Sequence, residues 1–179
     1  MKTVTFILLL VCSTLSGFGQ TGNNFDEAKE KIAIIEALTA ETENFFKRDY
    51  EGVKKYFVQS EYAFHAWNNA DGTFAATVGW RAIDEKFRNY IRQNPVPAGS
   101  SSHPKVERHN MVWKFYNSEV AFLIWDQYNS DQSSKMFNHS KETRLMEKLN
   151  GIWKIANMTA LWDYRNLISA DSLKIMTVK

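Results

Sequence analysis

The chain has 179 residues and a formal net charge of +2, with 22 basic and 20 acidic residues interspersed along it. That balance leaves no electrostatic footprint for nucleic acid or for an anionic membrane surface. Cys12 is the single cysteine, and the four histidines have neither His-x-His nor His-x-x-x-His spacing, so a disulfide framework and a metal site are not expected.

The first twenty residues read as a secretory signal peptide, with Lys2 in the n-region, an apolar run from Val4 to Val11, and small residues at Gly17 and Gly19. Cleavage is expected near Gly19 or Gln20, which exports the protein and removes Cys12. A lipoprotein reading at Cys12 is disfavoured by Val11, where a small residue is expected. The apolar run is far short of the roughly 20 residues that span a bilayer, so no membrane insertion is expected. About 160 residues remain, enough for one domain with a normal core. We bound that domain at 21–165 and leave 166–179 as an unassigned extension, because Leu167, Ile168, Leu173, Ile175 and Met176 follow no clear period.

In the mature chain, Asn24 is positioned to cap a helix whose first turn holds Asp26 and Glu27. Ala28, Ile32, Ile35, Leu38, Thr42 and Phe45 then recur at three- and four-residue steps, giving an amphipathic helix of about six turns. Asp49 caps a short helix from Tyr50 to Phe57. A strand follows from Glu61 to Trp67, with a turn at Asn68 to Gly72. Gly79 precedes a helix from Trp80 to about Gln93, with Ala82, Ile83, Phe87, Tyr90 and Ile91 as its apolar stripe, and Pro95, Pro97 and the Gly-Ser run after it predict a mobile loop.

Lys105 to Tyr116 and Val120 to Tyr128 alternate as two strands of a hairpin. A two-residue loop at Asn117-Ser118 would pair Trp113 with Phe122, Met111 with Ile124 and His109 with Asp126, whereas a three-residue loop would break these pairs. Residues 129–138 read as a polar connection, and His139 as a solvated residue beside it. The last hairpin, Lys141 to Trp162, turns at Asn150-Gly151, the strongest two-residue hairpin signal. Its register pairs Leu149 with Ile152, Glu147 with Lys154, Met146 with Ile155 and Arg144 with Asn157. One face then carries Met146, Trp153 and Ile155 and turns polar at Glu142, Arg144, Asn157 and Thr159.

Arg48-Asp49-Tyr50-Glu51, Gly79-Trp80-Arg81-Ala82-Ile83, and Glu142-Thr143-Arg144 through Asn150-Gly151-Ile152-Trp153-Lys154-Ile155, in this order, carry a resemblance. Over roughly residues 27–164 the chain resembles the NTF2-like superfamily, in particular its SnoaL-like and DUF4440-like members. The resemblance implies an α+β, cystatin-like cone in which a curved antiparallel sheet wraps the long N-terminal helix and leaves a pocket between its concave face and the helices. It also implies a homodimer formed through the sheet. The superfamily contains enzymes and non-catalytic members alike, so catalytic roles do not transfer. Asn157 and Thr159 stand where relatives often carry ring nitrogens, and no Asp and Tyr pair of the ketosteroid isomerase kind is found.

Arg144 with Asn157 is the sharpest constellation, since a guanidinium fork beside an amide suits a carboxylate or another oxyanion. An internal salt bridge of Arg144 with Glu142, Asp126 or Asp163 is the plainer reading. Glu142, His65 and Trp67 complete the ligand-binding candidates. His109, Asp126 and Tyr128 are catalytic candidates for a cofactor-independent lyase or isomerase, an oriented imidazole beside a phenol, and a structural histidine held by an aspartate is the alternative. No phosphate loop, nucleophile elbow or dinucleotide fingerprint occurs, so no cofactor is expected. The functional expectation is an exported pocket protein for a small organic ligand, anionic or aromatic, with a structural or interaction module as a third reading.

Overall fold

In a computed structural model of the chain, residues 25–96, 104–131 and 133–177 are described. The signal segment, Asn24 and the loop at 99–102 fall outside them. The elements run α1 (Glu27–Lys47), α2 (Tyr50–Lys54), β1 (Phe64–Asn68), β2 (Phe74–Val78), α3 (Trp80–Gln93), β3 (Val106–Phe115), β4 (Val120–Ser130), β5 (Met136–Leu149), β6 (Ile152–Ser169) and α4 (Ala170–Thr177).

The N-cap of α1 is Asp26, whose carboxylate accepts from the Lys29 amide at 3.1 Å. From Leu38 onward the sequence stripe faces inward as expected. Before it the helix is turned differently: Ala28 is exposed and Ile32 is 61% exposed, while Ile34 and Ala37 are buried. Glu30 explains the offset. Its carboxylate accepts from Lys148 Nζ at 2.7 Å and from the Trp153 indole N–H at 2.7 Å, locking α1 across the last hairpin. A buried indole N–H needs an acceptor, and that requirement outweighs an apolar stripe at a helix end. At the other end, Arg48 takes the left-handed conformation (φ 60°) that closes the helix, and its guanidinium lies over Phe45 and Tyr90. Asp49 caps α2 through the Gly52 amide at 3.0 Å, although the helix stops at Lys54 rather than Phe57.

Six strands form one sheet in the order β2-β1-β6-β5-β4-β3. The expected wholly antiparallel sheet is in fact mixed, because β1 runs parallel to β6. The cause lies in the segment that leaves α2. There Tyr56 O accepts from the Ile155 amide at 2.8 Å and the Val58 amide donates to Ile155 O at 2.9 Å, so the chain already runs alongside β6 before β1 begins. Strand β2 has no counterpart in the sequence reading. Phe74 and Val78 are 78% and 65% exposed on one face, and the inward face carries only Ala75 and the polar Thr77, so this edge strand leaves no apolar alternation.

Asn150 and Gly151 both have positive φ, 52° and 77°, as a type I′ turn requires, and Leu149–Ile152, Glu147–Lys154 and Met146–Ile155 pair as the turn dictates. Beyond Met146 the register slips. Leu145 pairs with Asn157 and Arg144 with Met158, leaving Ala156 as the extra residue of a bulge. The hairpin of β3 and β4 has the three-residue loop instead of the two-residue one: Phe115 pairs with Ala121 and Trp113 with Leu123, so the Trp113–Phe122 and Met111–Ile124 pairs do not form. A second bulge between His109 and Val112, with Asn110 at φ 54°, restores His109 opposite Asp126. Residues 136–140 belong to β5, and β6 runs on through Asn166 to Ser169 before α4.

The core sits on the concave side of the sheet. Ile34, Ala37 and Leu38 of α1 and Val53 and Phe57 around α2 pack against Ala121, Leu123, Trp125, Met146, Trp153 and Ile155. A smaller cluster of Tyr128, Phe137 and Leu173 holds α4 at one end of the sheet.

Candidate ligand cavity

Successive strand pairings place three rows of residues side by side on the concave face. Leu123, Arg144, Met158, His65 and Thr77 form one row across five strands. Trp125, Glu142, Ala160 and Trp67 form the next, and Arg108, Gln127, Ser140 and Trp162 a third. Helix α1 lays Leu38, Glu41, Thr42 and Phe45 over this floor, and α3 adds Ile83, Lys86, Phe87 and Tyr90. Between them lies an open cavity of about 650 Å³. That size suits a small organic molecule, and the combination of aromatic walls with a few convergent polar groups is the usual composition of such sites.

The polar floor is built around Arg144 and Glu142, which are 7% and 1% exposed. Arg144 Nη1 donates to Glu142 Oε2 and to Thr143 O, both at 2.8 Å, while Ser140 Oγ donates to Glu142 Oε1 at 2.6 Å. The guanidinium lies 5.0 Å from the Trp125 ring centroid. Two strands away, His65 is 4% exposed, its ring set between Phe57 at 4.8 Å and Phe87 at 5.4 Å. Burial, and then the positive charges of Arg144 and Lys86, push its pKa down to about 3, so the ring is neutral at ordinary pH.

Arg108 reaches across from β3 to α1, where its Nη2 donates to Leu38 O at 3.2 Å and to Thr42 Oγ1 at 2.9 Å. Burial raises the Glu41 carboxyl towards its neutral form, against the pull of Arg144 and Arg108. Four buried polar atoms of cavity-lining residues have no hydrogen-bond partner among the described residues: His65 Nε2, Arg108 Nε, Asn129 Oδ1 and Arg144 Nε. Each unmatched group of this kind costs about 1–3 kcal/mol, which a ligand that satisfied it would recover.

No known family model matches the chain, and no curated protein matches it. Solved structures do. An NTF2-like protein of unknown function from Shewanella oneidensis MR-1 is 18% identical, with 74% of this chain and 98% of that one covered at a TM-score of 0.54. A protein of unknown function with a cystatin-like fold from Nostoc punctiforme is 14% identical, with 77% and 94% covered and a TM-score of 0.57. A protein from Novosphingobium aromaticivorans provisionally designated a scytalone dehydratase is 11% identical, with 76% and 85% covered and a TM-score of 0.54. The chain has the NTF2-like fold.

Within this NTF2-like fold, Arg144, Glu142, His65 and Trp67 come together at the cavity. Asn157 does not join them. The bulge at Ala156 shifts the alternation by one residue, so Asn157 pairs with Leu145 on the outer face and Met158 takes the inward position opposite Arg144. The plainer reading of Arg144, a salt bridge with Glu142, is present as well. His109, Asp126 and Tyr128 lie on the outer face, away from the cavity. His109 Nε2 bonds Glu107 at 3.1 Å rather than Asp126, whose carboxylate is shared by Asn110, Lys141 and His139. Burial alone would raise the Asp126 carboxyl, but these three partners bring it down to about 2. His139, expected to be solvated, is half-buried on β5 with its ring stacked 5.0 Å from Tyr128. Glu41, Arg108, Gln127, Asn129 and Lys86 were not among the sequence candidates. Glu41 is one residue from Thr42 of the predicted stripe, and Arg108 one residue from His109, so only the helix rotation and the hairpin register could have singled them out.

Proposed function

We propose that the protein is an exported NTF2-like domain that binds a small organic molecule between its sheet and helices α1 and α3. The observation that carries this reading is the set of unpartnered buried polar atoms on His65, Arg108, Asn129 and Arg144, gathered around an aromatic-walled cavity of about 650 Å³. A closed structural core would have satisfied or excluded them. Ala160, 6% exposed at the centre of the floor, offers a test. Ala160→Trp fills the cavity from its base. A thermal-shift series with aromatic acids should raise the melting temperature of the native protein and leave that of the variant unmoved; equal shifts in both would put the ligand elsewhere.

Export is supported by the pattern of the first twenty residues. Self-association is supported by the outer face, where Val112, Ile124, Thr143, Thr159 and Ala66 run in one row and Phe122, Leu145, Asn157, Phe64 and Val78 in the next. Val112 and Val78 are 62% and 65% exposed there, and we propose a second copy of the chain as their cover. A lyase or isomerase is the alternative function. Its acid–base groups would be Glu41, whose carboxyl burial raises, and His65, whose imidazole burial lowers, rather than His109, Asp126 and Tyr128.

A further inference from the structure

The charges at the cavity do not balance. Three cationic side chains, Lys86, Arg108 and Arg144, line it together with two carboxylates, Glu41 and Glu142. Glu142 is spent on Arg144, at 2.8 Å with both side chains buried. Lys86 stands at the rim, with its ammonium 2.5 Å from Thr77 Oγ1 and over the Trp67 ring. Arg108 is the exception. All its hydrogen bonds go to neutral acceptors, Leu38 O, Thr39 Oγ1 and Thr42 Oγ1, and its Nε is buried without a partner among the described residues. A half-buried guanidinium with no carboxylate hydrogen-bonded to it among the described residues is left under-satisfied, and an incoming anion would relieve that cost.

Glu41 and Glu142 act on Arg108 through space, but among the described residues neither carboxylate hydrogen-bonds to it; Thr42 Oγ1, which accepts from Arg108 Nη2 at 2.9 Å, lies 3.2 Å from Glu41 Oε2. The charged groups acting on Glu41 are Arg108 from β3 and Arg144 and Glu142 from β5; β4 lines the cavity with the uncharged Trp125, Gln127 and Asn129, and α3 brings Lys86 and Tyr90 to it. Burial already favours its neutral form. An anion placed beside Arg108 would add a negative charge to the same space and strengthen that preference. The walls meanwhile define the body of the ligand. Phe45 and Tyr90 stack at 5.3 Å on the helix side, and Trp67, Trp125 and Trp162 line the sheet side. Flat rings on opposing walls suit a planar aromatic framework.

We propose that the cavity takes a planar aromatic monocarboxylate, its carboxylate set against Arg108, and that it takes up a proton on Glu41 as the ligand binds. This rests on the cavity being a ligand site, and the experiment separates the two claims. Three probes are titrated calorimetrically into the mature protein: 2-naphthoate, its neutral isostere 2-naphthamide, and naphthalene. The expected result is that naphthoate binds about tenfold or more tightly than the amide. Its affinity should fall as pH rises from about 5.5 to 8, and titrations in two buffers of different ionisation enthalpy should reveal proton uptake. Glu41→Gln should remove both the pH dependence and the proton uptake that accompany naphthoate binding. Arg108→Gln, checked for a native circular dichroism spectrum, should bring the naphthoate and naphthamide affinities together. Equal binding of naphthoate and naphthamide by the native protein would overturn the anionic class and leave the cavity reading standing. Binding of naphthoate with an unchanged pH profile in Glu41→Gln would overturn the proton uptake. If none of the three probes binds with a Kd below about 1 mM, the ligand-site reading falls as well.

Discussion

At the scale of single residues, His65 carries the clearest mark of its burial. Its imidazole is held neutral between two phenyl rings, with its pKa moved from 6.5 to about 3. In the unfolded chain the same ring takes up a proton near pH 6.5, so the unfolded state binds more protons throughout the interval between the two values. The contribution of His65 is therefore intact above pH 6.5 and is lost as pH falls towards 3, on the order of 3–5 kcal/mol in full. Glu41 acts in the opposite sense: its raised carboxyl favours folding at low pH and loses that contribution as pH rises above its ordinary 4.5. Asp126, lowered to about 2, matters only below its ordinary 3.8. Urea denaturation in a Glu41→Gln background should accordingly show stability falling between about pH 6.5 and 4, and His65→Gln in that background should flatten the slope. A slope that survives the second substitution would assign it to other groups.

At the scale of elements, the last hairpin decides which side chains face the cavity. The Asn-Gly turn fixes the first four residues on each side, and this much was legible in the sequence. Arg144 was legible too, since an arginine on the Trp153 face must meet something polar. Asn157 was misplaced because one extra residue, Ala156, reverses the alternation, and an alanine carries no local mark of a bulge. The β3–β4 hairpin contains a compensating pair of irregularities: a three-residue loop moves the register one way and the bulge at Asn110 moves it back, so the His109–Asp126 pairing was anticipated for the wrong reason. Long-range features such as the parallel pairing of β1 with β6 leave no local trace at all, whereas the lengths of α1 and α3 follow from periodicity and caps. The turn itself can be tested in isolation from packing. A Cβ on Gly151 meets nothing within 4 Å, so Gly151→Val stresses only the backbone, and it should cost about 1–3 kcal/mol of unfolding free energy. A loss well under 1 kcal/mol would mean that the positive φ of 77° is not what holds the register.

At the scale of the whole molecule, the two faces of the sheet do different work. The concave face divides into a dry end, where Ile34, Leu123, Met146 and Trp153 pack, and a polar, aromatic end that stays open. The convex face presents the apolar rows proposed to cover a second copy, with α4 packed over Tyr128 and Phe137 at one end. Native mass spectrometry of protein secreted from a producing host addresses export and assembly together. The expected species is a dimer of chains that begin just after Gly19 or Gln20, and a monomer with residues 1–20 attached would contradict both. The central claim, that the concave cavity is the ligand site, is tested most directly by nuclear magnetic resonance. Titrating 2-naphthoate into labelled protein should shift the indole N–H signals of Trp67 and Trp162, which line the cavity, and leave the His109, Tyr128 and His139 ring signals of the outer face in place. Shifts confined to the outer-face rings, with both cavity indoles unmoved, would contradict the account.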